Sequence, residues 1–137
     1  MPRSVADRYF SPAEVEALIP ALTGIMDDVR RAHAEARALG EEMQDDQRRI
    51  SLVGGGLVDR EQWRTMRERL QRLGGQVKEG LDRIAALGGV PKDLDLGLVD
   101  FAHLRDGRVV NLCWKYGERE IRFWHGLDEG YASRKAL

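Results

Sequence analysis

Residues able to do chemistry are concentrated in the C-terminal third of the chain. The stretch Leu112–Gly126, LCWKYGEREIRFWHG, holds the single cysteine, two of the three tryptophans and one of the three histidines. A thiol and an imidazole can bind a metal ion, or act together as a nucleophile and its base. The same stretch is also typical of the hydrophobic middle of a small sheet, and we favour that interpretation for most of its aromatic residues.

The elements that carry these residues are predicted by a period of two. From Gly97 onward apolar and polar residues alternate, as in half-buried strands. Asp106-Gly107 and Gly117-Glu118 interrupt the alternation, and Asp-Gly is a strong hairpin signal. We therefore predict a three-stranded antiparallel β-meander over residues 96–126, followed by a C-terminal tail over residues 127–137.

Two-residue turns fix the register of this meander. They place Leu112 opposite both Phe101 and Phe123, and they put His103 and His125 in one row across the strands. One face then becomes almost wholly apolar, and a one-residue slip would destroy this separation. The apolar face comprises Val99, Phe101, Val110, Leu112, Trp114, Ile121 and Phe123.

A metal site is one chemistry that this register allows. His103 and His125 would lie two strand spacings apart, roughly 9–10 Å, which two imidazoles could just bridge around one ion. Asp128 or Glu129 could add a third ligand. Metal sites normally need three or four organised ligands, so we predict no cofactor, with a divalent metal at His103 and His125 as the alternative.

A thiol-based site is disfavoured by the same register. Cys113 lies across from Asp100 on the polar face and points away from His125, so a Cys–His dyad is not expected. Arg122 could lower the pKa of the thiol, or pair with Asp100. A quiet, half-buried thiol is the preferred interpretation.

Other polar residues of this region have structural and functional interpretations. Glu118 occupies a turn, where a carboxylate can accept local backbone hydrogen bonds. Arg134 could clamp an anion, but we favour a tie between the tail and Glu118 or Asp100. No catalytic residue is predicted, and the candidate ligand or functional residues are Asp100, Cys113, Glu118, His125 and Arg134.

The N-terminal part of the sequence predicts a helix. Ser11, Pro12 and Glu14 form a capping box with proline at the first helical position, and Phe10 and Val15 have the spacing of a hydrophobic staple. A repeat of about 3.5 residues follows for roughly five heptads, which is typical of a coiled-coil seam. Pro20 and Gly40 should weaken or bend this helix. The seam comprises Val15, Leu18, Leu22, Ile25, Val29, Ala32, Ala36, Leu39 and Met43.

A second helix follows a glycine-rich turn. The segment SLVGGGLVD, near residues 51–58, lacks the Lys-Ser/Thr of a phosphate-binding loop and is interpreted as a turn. Asp59 and Gln62 predict a second capping box, and LGGVP predicts the end of the helix. We therefore predict an antiparallel helical hairpin over residues 11–89. Its second seam comprises Trp63, Met66, Leu70, Leu73, Val77, Gly80, Ile84 and Leu87.

The composition restricts the classes of partner that the protein is expected to bind. The formal net charge of −1, from 22 basic and 23 acidic side chains, gives no global field that attracts nucleic acid or membrane. The arginines of the second helix (Arg60, Arg64, Arg67 and Arg69) point to several sides, so nucleic-acid binding is the weakest alternative. Neither a signal peptide nor an apolar span is recognisable. A single cysteine fits a reducing compartment, and we expect a cytoplasmic protein.

Short motifs stand at both ends of the chain. The C-terminal third contains GLVDF, LCW, GE, WH and Gly130-Tyr131 with Arg134, and the N-terminal part contains RYFSPAEVEALIPAL. Together these motifs resemble a bacterial domain family of unknown function, and the chain departs from the family's first-helix pattern at Ser11 and Val15. Ala102 stands where the family pattern has proline, so the resemblance does not define where the first strand of the meander ends. The resemblance implies the architecture and brings no activity.

The expected protein is a single α+β domain spanning residues 1–137. It consists of a long antiparallel two-helix coiled-coil hairpin followed by the three-stranded β-meander. Two heptad helices leave apolar surface that the C-terminal segment, a second copy or another protein could cover. We expect a non-enzymatic interaction or scaffold module, a homodimer in its simplest form. A metal- or small-ligand-binding protein, with or without enzymatic activity, is the alternative.

Overall fold

The computed structural model of the protein describes residues 8–52 and 60–137. Two long helices, α1 (Pro12–Leu52) and α2 (Arg60–Leu87), precede a five-stranded antiparallel sheet and a short 3-10 helix at Tyr131–Ser133. The triple-glycine turn and the Asp59 cap lie outside the described residues. The strands are β1 (Val90–Asp93), β2 (Leu98–Arg105), β3 (Arg108–Lys115), β4 (Phe123–His125) and β5 (Lys135–Ala136).

Helix α1 begins at the predicted cap. The backbone N–H of Glu14 donates to Ser11 Oγ (3.1 Å), and the N–H of Ser11 donates to Glu14 Oε1 (2.9 Å). The capping box is therefore confirmed. Phe10 and Val15, the two staple residues, are both buried. Neither Pro20 nor Gly40 divides the helix, which runs as one element of 41 residues.

The two helices pack against each other in antiparallel orientation. Gly80 of α2 lies against Val29 of α1, whereas Arg69, earlier in α2, pairs with Glu35, later in α1 (3.0 Å). A Cβ atom added at Gly80 would lie 2.1 Å from Val29 Cγ2, so the close approach requires glycine at this position. The heptad seams of α1 and α2 therefore pack against each other within one chain.

The sheet is larger than the predicted three-stranded meander. Its strands follow chain order, β1-β2-β3-β4-β5, so the outer strands β1 and β5 are the elements that the prediction missed. Pro91, interpreted as a residue beyond the helix end, lies in β1, where an edge strand tolerates proline. β5 is only Lys135 and Ala136, too short for a period of two to appear.

The β2–β3 hairpin has the predicted register. Arg105 pairs with Arg108, and Phe101 pairs with Leu112. Asp106 and Gly107 both have positive φ angles (50° and 77°), the backbone conformation that a tight two-residue hairpin turn requires. β2 also continues through Ala102, the position at which the resemblance left its end in doubt.

The predicted β3–β4 register is wrong by one residue. Leu112 pairs with Trp124, not with Phe123, and His125 pairs with Asn111, not with Val110. The connection is longer than a two-residue turn because β4 begins only at Phe123. Ile121 leaves the ladder, and its N–H donates to Glu16 Oε1 on α1 (3.0 Å).

The core lies between the helical hairpin and one face of the sheet. Phe10 anchors the N-terminal segment there: its N–H donates to Ala102 O (2.7 Å), and its ring meets Phe101 edge-on with centroids 5.1 Å apart. Among the described residues, no helix is long and apolar enough to cross a membrane. The largest fully buried core side chains include Trp114, Phe10, Phe101, Leu22, Met26, Ile84 and Leu112.

Candidate functional site

Three ligand-type side chains converge on the face of the sheet that turns away from the helices. Asp100 and Cys113 are direct cross-strand partners on β2 and β3. His125 pairs with Asn111 on β4, and since side chains alternate along a strand, it shares the face of Cys113. One ligand atom from each side chain lies within 4.8 Å of the others. The exposed fractions are 3% for Asp100, 1% for Cys113 and 2% for His125.

The histidine is held by two oxygen atoms. Its Nδ1 lies 2.8 Å from the carbonyl oxygen of Gly126, and its Nε2 lies 3.1 Å from Asp100 Oδ1. A carbonyl oxygen can only accept, so Nδ1 carries a hydrogen. Nε2 then faces the carboxylate either with a second hydrogen, as an imidazolium, or with its lone pair. The second arrangement places two acceptors against each other and needs a cation or a proton between them.

Cys113 is buried beside a negative charge. Loss of hydration, followed by the charge of Asp100, raises the pKa of the thiol to about 12, against the opposing effect of Arg134. At neutral pH the sulfur is therefore a protonated thiol, and a nucleophilic thiolate is disfavoured. A cation bound beside the sulfur would reverse this balance.

Glu118 and Arg134 form a second polar group next to the first. Arg134 Nη2 donates to Glu118 Oε2 (2.6 Å), and Glu118 Oε1 accepts the N–H of Lys115 (2.7 Å). The guanidinium also stacks over the rings of Phe123 and Tyr131, at 4.1 Å and 4.9 Å from their centroids. Arg134 thus ties the C-terminal segment to the β3–β4 connection, which is one of the contacts considered from sequence.

The predicted pairing of His103 with His125 is wrong. His103 pairs with Val110 on β3, whereas His125 pairs with the next residue, Asn111, so the two imidazoles lie on opposite faces. His103 Nδ1 lies 2.7 Å from Phe10 O and fastens the N-terminal segment to the sheet.

The acidic residues near His125 also differ in role from the expectation. Glu129, considered as a third ligand, accepts the N–H of Gly126 (2.7 Å) and pairs with Lys135, and Asp128 is exposed. The hydrogen bond from Lys135 and that from Gly126 hold the pKa of Glu129 below its usual value. Arg122 pairs with Glu120 (2.6 Å), not with Asp100.

Sequence reasoning identified the residue types of this site but separated two of its members. The Asp100–Cys113 pair follows from the β2–β3 register, which was predicted correctly. The shift between β3 and β4 moves His125 to the face of Cys113, so the expected separation of thiol and imidazole is wrong. The expected half-burial of the thiol is wrong too, because Cys113 is almost fully buried.

Comparison with known proteins relates the chain to a described family. A family model described as "Uncharacterized conserved protein (DUF2203)" matches residues 8–137. No curated protein and no solved structure shows a significant match to the chain.

Proposed function

The chain belongs to the uncharacterized family DUF2203, and we propose that it binds a divalent transition-metal ion through Asp100, Cys113 and His125. The observation that supports the proposal is the convergence of a carboxylate, a thiol and an imidazole, whose ligand atoms lie within 4.8 Å of one another in a buried position. A mixed sulfur, nitrogen and oxygen ligand set is one that zinc accepts.

The orientation of His125 supports this proposal. Histidine ligands commonly donate their second ring N–H to a carbonyl or carboxylate oxygen, which fixes the ring and the tautomer. Nδ1 of His125 has such a partner in Gly126 O, and this leaves Nε2 directed at Asp100. A cation between Nε2 and the carboxylate would remove the opposition of two acceptors and would lower the pKa of the adjacent thiol.

The proposal is limited to binding. Three protein ligands leave a fourth position of a tetrahedral ion for water or another donor. The three side chains are nearly excluded from solvent, so access to that position would be narrow. A structural ion that stiffens the junction of β2, β3 and β4 is the form of metal binding that this burial favours.

The test is metal content and metal uptake by untagged protein. Elemental analysis should find about one zinc, iron or manganese per chain, or the metal-free protein should take up zinc in calorimetry with release of the thiol proton. Cobalt(II) should give the sulfur-to-cobalt charge-transfer band that reports a bound thiolate. A metal-free protein that takes up neither zinc nor cobalt would contradict the proposal.

Variants assign the ligands. Cys113→Ser should abolish the charge-transfer band, and His125→Gln should weaken cobalt binding by at least about tenfold. His33→Gln is the matched control, because His33 is a partly exposed histidine with an aspartate, Asp95, at 3.8 Å. Circular dichroism separates loss of a ligand from loss of the fold. Equal cobalt affinity in all three folded variants would exclude this site.

We also propose a second function, an interaction module formed by two copies of the chain. It is supported by the part of the hairpin distant from the sheet, where two helices alone leave the seam residues half-buried. Sedimentation over a dilution series should show a monomer–dimer equilibrium that Leu39→Glu removes. A monomer at every concentration would contradict it. The half-buried seam residues are Ala36, Leu39, Met43, Trp63 and Leu70.

A further inference from the structure

A cleft lies on the face of the sheet opposite to the proposed metal site. It has a volume of about 650 Å³ and opens beside the β2–β3 turn, where the helices do not cover the sheet. Val110 and Trp124 contribute its apolar surface, and Arg105, Arg108 and Lys135 contribute positive charge. Clefts of this size suit a small organic ligand.

Two of these cations are placed against each other. Arg105 and Arg108 are direct cross-strand partners, and among residues 8–52 and 60–137 neither forms an ion pair. Like charges directly opposite each other destabilise a strand pair. Folding alone therefore does not favour this arrangement, whereas a bound anion would remove the repulsion.

Trp124 connects the cations to the apolar part of the cleft. The Arg105 guanidinium lies 4.8 Å, and the Lys135 ammonium 4.6 Å, from the centroid of its ring. The indole Nε1 is buried and, within the described part of the chain, has no hydrogen-bond partner. A buried N–H donor without an acceptor is costly, and an anionic ligand would supply one if its binding shifts the indole enough to expose Nε1.

The acidic residues of the cleft leave a positive excess. Glu129 pairs with Lys135 at 2.5 Å and accepts the N–H of Gly126, so these two charges neutralise each other. Asp106, in the exposed hairpin turn, offsets one further charge. The two arginines exceed this remaining carboxylate by one charge.

We propose that this cleft binds a small molecule carrying a phosphate group. Guanidinium groups present paired N–H donors that match phosphate oxygens, and Arg105 and Arg108 offer two such groups at one edge of the cleft. The organic part would lie against Val110 and Trp124. The cleft contains none of the three proposed metal ligands, so either proposal can fail without the other.

The experiment is a titration of isotope-labelled protein followed through the indole N–H signals. The probes are inorganic phosphate, adenosine monophosphate and, as a dicarboxylate, succinate, each at low and at high salt. Binding of adenosine monophosphate should shift the Trp124 indole signal, should be tighter than that of inorganic phosphate, and should weaken with salt.

Arg108→Ala is the test variant and Arg119→Ala its control, since Arg119 is an exposed arginine of the same region outside the cleft. Arg108→Ala should weaken binding of the nucleotide by about tenfold or more. Without ligand its melting temperature should equal or exceed that of the wild type, because the substitution removes a like-charge pair. A merely structural arginine would instead lower it.

The remaining outcomes overturn the proposal in distinct ways. No saturable shift of the Trp124 signal with any probe, or equal affinities in Arg108→Ala and Arg119→Ala, would remove the site. Tighter binding of succinate than of either phosphate probe would show that the cleft prefers a carboxylate to a phosphate group. Inorganic phosphate bound as tightly as the nucleotide would exclude a role for the apolar surface.

Discussion

His125 directs its Nε2 at the carboxylate of Asp100, with 3.1 Å between Nε2 and Oδ1, although β3 lies between their strands, β2 and β4, in the sheet. Both side chains are buried. Because a buried polar group without a partner destabilises the fold, each of the two residues depends on the other, whether a proton or a metal ion lies between them.

This dependence predicts the effect of truncating the carboxylate. In metal-free buffer, Asp100→Ala should lower the free energy of unfolding by about 3–5 kcal/mol, since it leaves a buried imidazole without its partner. Asp100→Asn should cost less, because the amide can donate to a neutral Nε2. Urea denaturation monitored by circular dichroism measures both changes.

The chain offers a matched control for this experiment. Asp95 and His33 form a comparable but exposed pair at 3.8 Å. Asp95→Ala should change the free energy of unfolding by less than about 1 kcal/mol, as exposed pairs generally do. Equal costs for Asp100→Ala and Asp95→Ala would show that the buried pair is not coupled.

The Cys113 thiol should be unreactive in the folded protein. Its burial and the charge of Asp100 raise its pKa to about 12, so the thiolate is scarce and inaccessible. At mildly alkaline pH, iodoacetamide should modify native protein at least about a hundredfold more slowly than protein in urea, where the thiol regains its ordinary pKa. Mass spectrometry of quenched samples measures the rates, and similar rates would contradict the buried position.

The contact between the helices predicts opposite effects at two glycines. Gly80→Ala should destabilise the protein by roughly 1–3 kcal/mol, because the added methyl group collides with the stiff side chain of Val29. Gly75→Ala, in the same helix with open space around it, should stabilise by about 0.5–1 kcal/mol. Thermal unfolding of both variants checks the sign, and a stabilising Gly80→Ala would contradict the close approach.

The cap of α1 should contribute to the pH dependence of stability. Hydrogen bonds from Ser11 hold the pKa of Glu14 below its usual value. A carboxyl group with a lowered folded-state pKa stabilises the fold above its unfolded pKa of 4.5, and this contribution is lost as the pH falls through the folded value. Ser11→Ala removes the hydroxyl but keeps the Ser11 N–H that donates to Glu14 Oε1. It should destabilise the protein at neutral pH by roughly 1 kcal/mol for the lost cap and remove only part of the contribution of Glu14.

The pH series supplies the check on this prediction. The difference in unfolding free energy between wild type and Ser11→Ala should shrink as the pH falls below 4.5, the ordinary value for Glu14. Glu14→Gln should show the same trend more strongly, because it removes the ionisable group itself. A difference that stays constant between neutral and acidic pH would assign the effect to the Ser11 hydroxyl alone.

Local sequence signals determined the parts of the fold that were predicted correctly. The capping box needs only Ser11 and Glu14, which lie three residues apart. The β2–β3 hairpin needs Asp106 and Gly107, whose residue types tolerate positive φ. In both cases the residues that decide the geometry lie within three positions of each other in the chain.

The β3–β4 connection could not be predicted in this way. Its path depends on the bond from Ile121 to Glu16, 105 residues away, and on the contact of Glu118 with Arg134 in the tail. Because the side-chain period of a strand is two, the resulting one-residue shift moves His125 to the other face. The candidate ligands were recognisable by type, and their association was not.

The two outer strands of the sheet bear on how copies of the protein behave at high concentration. An exposed strand edge offers unpaired N–H and C=O groups to which the edge of another molecule can add, the first step towards fibrillar aggregates. β1 has only four residues and contains Pro91, which cannot donate a backbone hydrogen bond, and β5 has only two residues, one of them Lys135. Short edges carrying proline and lysine are poor templates for such growth, so the sheet is protected against it at both ends.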